Sequence, residues 1–284
     1  MATRREVYNQ LVEAAMRCYD EGEARQIAEM IITERGGISR NALIVEPNEE
    51  LTIPDLETIL AQLSSWQPVQ YILGVADFSD LSLEVNSDVL IPRPETEELV
   101  AWVAEELSEG AHILDACTGS GCIAIALARL VANSHVWAFD ISEGALNVAK
   151  RNASRYAPNV QISQHDALED FSTITTERLD AIVSNPPYIP QSDITLMRPN
   201  VTEYEPHTAL FVEDNDPLIF YRSIARTART MLKADGKLYF EIYESLAEDM
   251  CSMLSAEGYT DIVVRKDFRE RPRMICARVN SITR

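Results

Sequence analysis

The apolar residues of this chain change their spacing twice. Near the front, Val7, Leu11, Ala14, Ala15 and Cys18 recur at helical steps, as do Ile27, Met30 and Ile31, and then Leu56, Ile59, Leu60 and Leu63. That period places each set on one side of a helix. Gly36-Gly37 and Pro47-Asn48 interrupt the pattern, and Pro54 is expected just inside the third helix, where its missing N–H is tolerated. Between residues 69 and 91 the step becomes two. Val69-Gln70-Tyr71-Ile72-Leu73-Gly74 and Leu81-Ser82-Leu83-Glu84-Val85 alternate like half-buried strands and predict a hairpin.

Beyond Pro94, short apolar runs around Ile113, Val136, Val160, Ile182 and Leu238 alternate with helical patterns. This rhythm predicts an α/β fold with a doubly wound, mostly parallel sheet. Ser245 and Glu248 have the spacing of a capping box at the start of a further helix. The end departs from the rhythm. Asp261–Lys266 and Met274–Val279 read as strands whose short link leaves no room for a helical crossover, so they must form an antiparallel hairpin. The 284 residues thus divide into a helical domain (1–68), a hairpin linker (69–92) and an α/β domain (93–284).

Charge narrows the partners. The chain holds 25 basic and 45 acidic residues, net −20. Residues 76–200 hold 7 basic against 19 acidic groups, net −12, which would repel a polyanion. Direct nucleic acid binding is not expected; a small molecule and a protein that is basic near its reacting group are. Five cysteines (Cys18, Cys117, Cys122, Cys251, Cys276) lack paired metal spacing and read as free thiols, with no metal site, in a cytoplasmic protein. No apolar stretch approaches the ~20 residues needed to span a bilayer, so no membrane association is expected.

Candidate chemistry collects at strand ends. Asp115-Ala116-Cys117-Thr118-Gly119-Ser120-Gly121 follows one strand and opens a helix, so its glycines and the helix N-terminus can meet a ligand closely. Asp140 ends the next strand, where a carboxylate can accept both ribose hydroxyls, and Asp166 follows the third, where it can face an adenine edge. These residues fit either NAD or S-adenosylmethionine. Asp115 suits a cationic ligand better than a pyrophosphate.

Ser184-Asn185-Pro186-Pro187-Tyr188 closes the fourth strand. Two prolines hold Asn185 in extended geometry, and Pro187 brings no N–H to compete for the Pro186 carbonyl. The Asn185 side-chain oxygen and the Pro186 carbonyl then form two fixed acceptors over the flat Tyr188 ring, an arrangement suited to a planar NH2 group. Gripping both N–H bonds orients a delocalised, weakly nucleophilic nitrogen toward a methyl donor and favours the pyramidal nitrogen of the transition state. The Asn185 nitrogen is expected to turn toward the methyl group.

TGSG, Asp140 and NPPY together resemble the class I S-adenosylmethionine methyltransferases that act on planar NH2 groups. Pro68-x-Gln70-Tyr71-x-x-Gly74, Leu90-Ile91-Pro92-Arg93-Pro94-Glu95-Thr96-Glu97, NPPY, and Glu205-Pro206 with Ala209-Leu210 are similar to the HemK/PrmC family, the glutamine methyltransferases of peptide chain release factors. The resemblance covers nearly the whole chain. It implies a helical substrate-docking domain joined by a β-hairpin to a seven-stranded sheet, and methylation of the Gly-Gly-Gln glutamine amide of release factors. It places Cys117, Thr118, Gly119, Ser120, Gly121, Asp140, Asp166 and Asn185 around S-adenosylmethionine. It places Asn185, Pro186, Pro187 and Tyr188 around the glutamine, with Asn185, Pro186 and Tyr188 catalytic.

The chain departs from many relatives at Cys117 (glycine there), Ala167 (a bulky aromatic) and Asp80 (glycine). A cysteine at 117 implies that this position does not use glycine's backbone freedom, and Ala167 leaves one adenine wall small. The segment around Arg93–Thr96 has two compatible readings, a helix start and a wall of the pocket. An adenine-N6 nucleic acid methyltransferase, a non-catalytic ribosome-associated adaptor and an NAD enzyme are the alternatives. The first would need a basic track, the second would tolerate loss of Asn185, and the third would retain a different cofactor.

Overall fold

The computed structural model describes residues 2–279. They form two compact units. One takes in the chain up to Val75 together with Arg198–Tyr204; the other takes in Ala76–Met197 and the chain from Glu205 onward.

The first unit is helical: Arg4–Ala15, Glu21–Gly36, Arg40–Val45, Leu56–Leu63 and Val69–Leu73. Thr3 and Glu6 cap the first helix reciprocally, and Asp20 caps the second, satisfying amides that would otherwise lack partners. Val7, Leu11, Ile27, Ile31, Ile32 and Leu63 fill the core. Arg198–Tyr204 is tied to these helices by Arg198, which donates to Glu23 at 2.7 Å, and by the Tyr204 hydroxyl, which donates to the Ser65 carbonyl.

Several expectations shift here. Cys18 lies past the end of the first helix, and Met30 is exposed while Ile32 takes the buried place. Pro54 precedes the helix altogether, because Asp55, at φ 58°, is the N-cap. Val69–Leu73 is a helix, not the first strand of the hairpin. Its buried residues are Val69, Ile72 and Leu73, a helical spacing that a five-residue apolar run does not distinguish from alternation. The two-stranded sheet therefore starts later, at Val75–Phe78, and pairs with Leu81–Glu84.

The second unit is built on strands β1 (His112–Ala116), β2 (His135–Asp140), β3 (Gln161–Gln164), β4 (Leu179–Ser184), β5 (Leu232–Glu241), β6 (Tyr259–Lys266) and β7 (Pro272–Val279). Their order across the sheet is β6-β7-β5-β4-β1-β2-β3. The pairs from β5 through β3 are parallel, and β7 lies antiparallel to both β5 and β6, as the short final link requires. Helices 94–106 and 122–130 pack on one face against Ile113, Val183 and Tyr239. Helices 219–231 and 247–256 pack on the other against Leu114, Ile182 and Phe240. Both faces are covered, so consecutive strand residues are apolar; burying each large side chain contributes roughly 1.5–3 kcal/mol.

The expected capping box at Ser245 is absent. A 3-10 turn spans Glu244–Leu246, and the helix begins at Ala247 with no side-chain cap on Leu246. Among the described residues, no helix is long and apolar enough to cross a membrane.

Candidate active site

The parallel strands end at a cavity of about 310 Å³. Loop residues 117–120 line part of it. The Thr118 amide donates to the Phe139 carbonyl at 2.9 Å, tying the loop to the tip of β2. The Thr118 hydroxyl donates to Asp115 Oδ2 at 2.5 Å, and the Ala124 amide reaches the same oxygen at 3.1 Å. Asp115 is fully buried and does not line the cavity, so it braces the loop from behind rather than meeting a ligand. Burial pushes its carboxyl up to about 7, against the pull of those two hydrogen bonds.

Three loop positions take left-handed backbone: Cys117 (φ 61°), Gly119 (φ 54°) and Gly121 (φ 85°). The expectation for Cys117 was therefore wrong in its premise: the position does require the conformation that glycine adopts freely, and a cysteine carries the steric cost. A side chain at Gly119 would meet nothing within 4 Å, so the backbone there is open. At Gly121 a β-carbon would come within 3.1 Å of Ile125 and 3.4 Å of Ala149, so this glycine, outside the lining, lets two helices approach. Ser120 lines the cavity with its Oγ buried and without a hydrogen-bond partner among the described residues. The thiols beside it are unreactive in character: burial pushes Cys117 well above the ordinary range and Cys122 up to about 12.

Asp140 faces the loop. Its Oδ2 accepts the Gly119 amide at 2.9 Å and its Oδ1 the Ser142 amide at 3.0 Å, which fixes the carboxylate while leaving further lone pairs on both oxygens. Burial raises its pKa, and the backbone amides oppose that. Asp166 lines the same cavity, with Oδ1 accepting the Leu168 amide at 2.8 Å. Between the two acids the wall is apolar: Ile141, Ala167, Leu168 and Phe220. Ala167 is buried, and its carbonyl accepts the Ser223 hydroxyl at 2.6 Å. The wall is thus shared among several apolar side chains.

Asn185 and Pro187 close the opposite side. Ser184 Oγ donates to the Ala116 carbonyl at 2.6 Å and locks the tips of β4 and β1 together. The amides of Tyr188 and Ile189 both donate to the Leu210 carbonyl, and Ile189–Pro190 pairs in parallel with Phe211–Val212. Pro186 and Tyr188 lie outside the cavity lining. Tyr188 turns its hydroxyl inward to Glu241 Oε1 at 3.0 Å, and its ring stacks on Tyr243. Burial holds its phenol well above the ordinary value.

The nitrogen of Asn185 is engaged by another side chain of the lining. It donates to Thr96 Oγ1 at 3.3 Å, and Thr96 Oγ1 donates to Glu241 Oε2 at 2.6 Å. Glu241 is 1% exposed, and burial raises its pKa. Thr96 lies in the first turn of helix 94–106, which Pro94 opens after Arg93, and both Arg93 and Thr96 line the cavity. The helix-start and pocket-wall readings of that segment therefore both hold. Arg93 also pairs with the fully buried Glu205 at 2.6 Å, and Glu205 accepts the Ile91 amide at 3.1 Å.

Glu241, Asn152 and the wall residues Ile141, Leu168 and Phe220 were not picked out from the sequence, and Thr96 only as the end of the Arg93–Thr96 segment. Glu241 carried a signal, an acid closing the apolar run Leu238-Tyr239-Phe240. Asn152 carried none. Buried in helix 143–156, it donates to the carbonyls of Ser120 and Glu84 and accepts the Glu84 amide, joining the cofactor loop to the two-stranded sheet.

The cavity suits a nucleoside with a cationic tail. It offers the carboxylates of Asp88, Asp140 and Asp166, a hydroxyl without a partner among the described residues, an open glycine backbone and apolar side chains. Comparison with known proteins agrees. Residues 79–200 match the methyltransferase small domain family, and residues 9–74 match the PrmC N-terminal domain family. The chain is 39% identical over 276 residues to the release factor glutamine methyltransferase of Flavobacterium psychrophilum, covering 94% of this chain and 95% of that one. It is 37% identical to the protein of the same name from Enterococcus faecalis, covering 90% and 93%. Among solved structures, a methyltransferase from Pyrococcus furiosus shares the fold at a TM-score of 0.53 and 18% identity, over 72% of this chain and 91% of that one.

Proposed function

Given that this chain belongs to the release factor glutamine methyltransferase family, we propose that it methylates the side-chain amide nitrogen of the Gly-Gly-Gln glutamine of peptide chain release factors. S-adenosylmethionine, when bound, supplies a methyl group activated by its sulfonium. Asp140 would accept the ribose hydroxyls, held for that task by the Gly119 and Ser142 amides. Asp166 would accept from the adenine amino group, with the purine between Ile141 and the Ala167–Leu168 wall, and Ser120 Oγ would find the partner it lacks. Asp115, read from sequence as a ligand contact, acts only through the loop it braces.

The observation that carries the reading is the fixed amide of Asn185 at the cavity wall, with its nitrogen engaged on Thr96 and its oxygen left to accept. The glutamine nitrogen is a poor nucleophile because its lone pair is delocalised into the carbonyl. Asn185 Oδ1 and the Pro186 carbonyl would grip its two N–H bonds and favour the pyramidal nitrogen as the new C–N bond forms. Alignment of this kind supplies ~7–11 kcal/mol of barrier reduction. The helical unit, which matches the PrmC N-terminal domain over residues 9–74, docks the release factor. The acidic residues 76–200 favour a partner that is basic near its glutamine.

The test is incubation of the pure protein with labelled S-adenosylmethionine and a release factor, followed by mass spectrometry of the digested factor. One added methyl on the Gly-Gly-Gln peptide is expected. Label on nucleic acid instead, or none on the factor, would overturn the assignment.

A further inference from the structure

The Asn185 side chain is nearly symmetric in shape, since its oxygen and nitrogen ends differ by little more than hydrogen count. A pocket of the right shape would hold it equally well either way round, yet only one orientation presents an acceptor to a substrate N–H. Something must choose the orientation, and the proline backbone does not reach the amide.

Glu241, at the end of β5, makes the choice possible. Its two oxygens accept one hydroxyl each, Thr96 Oγ1 at 2.6 Å and Tyr188 OH at 3.0 Å. An ionised carboxylate has no hydrogen to give, so both hydroxyls must donate to it. Thr96 has a single hydroxyl hydrogen, and that hydrogen is spent on Glu241. Toward Asn185, Thr96 can only accept. The group 3.3 Å from it must therefore be the Asn185 nitrogen, and Oδ1 is turned the other way. A chain of hydrogen bonds running Asn185→Thr96→Glu241 has its direction set by the one member that cannot donate. Burial and the neighbouring Glu95 raise the Glu241 pKa, opposed by the two hydroxyls and the Arg273 charge; the geometry, with one hydroxyl donating to each oxygen, is that of a carboxylate.

We propose that Thr96 and Glu241 are positioning residues that fix the flip state of the Asn185 amide so that its oxygen faces the substrate nitrogen. The same carboxylate anchors Tyr188, so both ends of the NPPY turn are oriented from one buried point. This rests on the reading that Asn185 accepts from the glutamine amide.

The variants are Thr96→Val, which keeps the shape and removes the acceptor, Thr96→Ser, which keeps the hydroxyl, and Glu241→Gln. In the last, the amide accepts from only one hydroxyl; with its NH2 turned to Thr96, the threonine hydrogen is released toward Asn185 and the amide is driven to the opposite flip. Single-turnover methylation of a release factor should fall roughly 10–100-fold in T96V and in E241Q, the scale of a misaligned reacting group. The KM for release factor and the calorimetric affinity for S-adenosylmethionine should stay within about threefold, and T96S should recover most of the rate. Adding T96V to Asn185→Ala should cost nothing further, because the two act as one unit. An independent readout is the Asn185 side-chain NH2 signal in NMR, identified by its loss in Asn185→Ala: its hydrogen exchange should quicken in T96V and not in T96S.

A folded T96V enzyme within threefold of wild type, with Asn185→Ala strongly impaired, would overturn the positioning role and leave the acceptor reading standing. Both variants near wild-type rate would overturn the acceptor reading itself. If T96V does not fold, Thr96→Ala decides the same question by the same rates, and an unimpaired T96A overturns the proposal.

Discussion

The two sides of the cavity are held in different ways. The cofactor side is held largely by backbone amides, with Asp115 and Asn152 bracing the loop from behind: the Gly119 and Ser142 amides on Asp140, the Thr118 amide on the β2 carbonyl, the Leu168 amide on Asp166. The acceptor side is held by side chains from elements far apart in sequence, with Thr96, Asn185, Tyr188 and Glu241 drawn from one helix, one turn and one strand. Backbone support belongs to the fold and survives most substitutions. Side-chain support can be removed one group at a time. The cofactor side should thus degrade in affinity by degrees, while the acceptor side should lose rate sharply.

The sharpest break is Asn185→Ala. Losing one preorganised polar partner should lower single-turnover methyl transfer by roughly 10²–10³-fold while the fold is kept. Cofactor affinity should change less than the rate, and a rate within about threefold of wild type would erase the contrast between the two sides. Asp140→Ala comes next. The loss of charge-assisted hydrogen bonds should weaken S-adenosylmethionine binding by ~1.5–3 kcal/mol in calorimetry, with less effect on the rate at saturation.

Asp115 sharpens the comparison through pH. Burial pushes its carboxyl up to about 7 in the folded protein, against ~3.9 for an ordinary aspartate. Between those values the folded chain holds a proton that the unfolded chain has lost. Its contribution therefore lowers stability as pH rises through that window, by at most about 1.4 kcal/mol per pH unit. Urea melts of the cofactor-free protein from pH 4 to pH 7 should show this slope, and Asp115→Asn should flatten it by that contribution. The smallest effect belongs to Cys117. At φ 61°, Cys117→Gly should be more stable than Cys117→Ala by about 1 kcal/mol, the cost of a β-carbon in left-handed backbone; equal stability would mean that the loop stores no strain there.

This division also explains what could be read before the structure. The strand ends, the glycine loop, Asp140 and Asp166 are local signals, each carried by a few neighbouring residues. The antiparallel ending was legible because a short link leaves one solution. Val69–Leu73 was not, because five apolar residues after a proline satisfy both periods until the core decides which three are buried. Cys117 misled because its identity argued against a backbone conformation that the loop imposes regardless. The Thr96–Glu241 pair was invisible as a pair: its members are 145 positions apart, and each is ordinary alone, a threonine in a first helical turn and a glutamate at a strand end.

The seven residues Arg198–Tyr204 set a condition on how this protein can be recombined. They lie between stretches of the α/β unit in sequence but pack with the helical one, through Glu23 and Ser65. A single cut after Val75 would strip those two residues of their partners and leave an orphaned segment behind in the remaining chain. Exchange of the front unit between relatives, whether by natural crossover or by a designed chimera, must therefore carry two pieces of gene, and the second is only seven codons long.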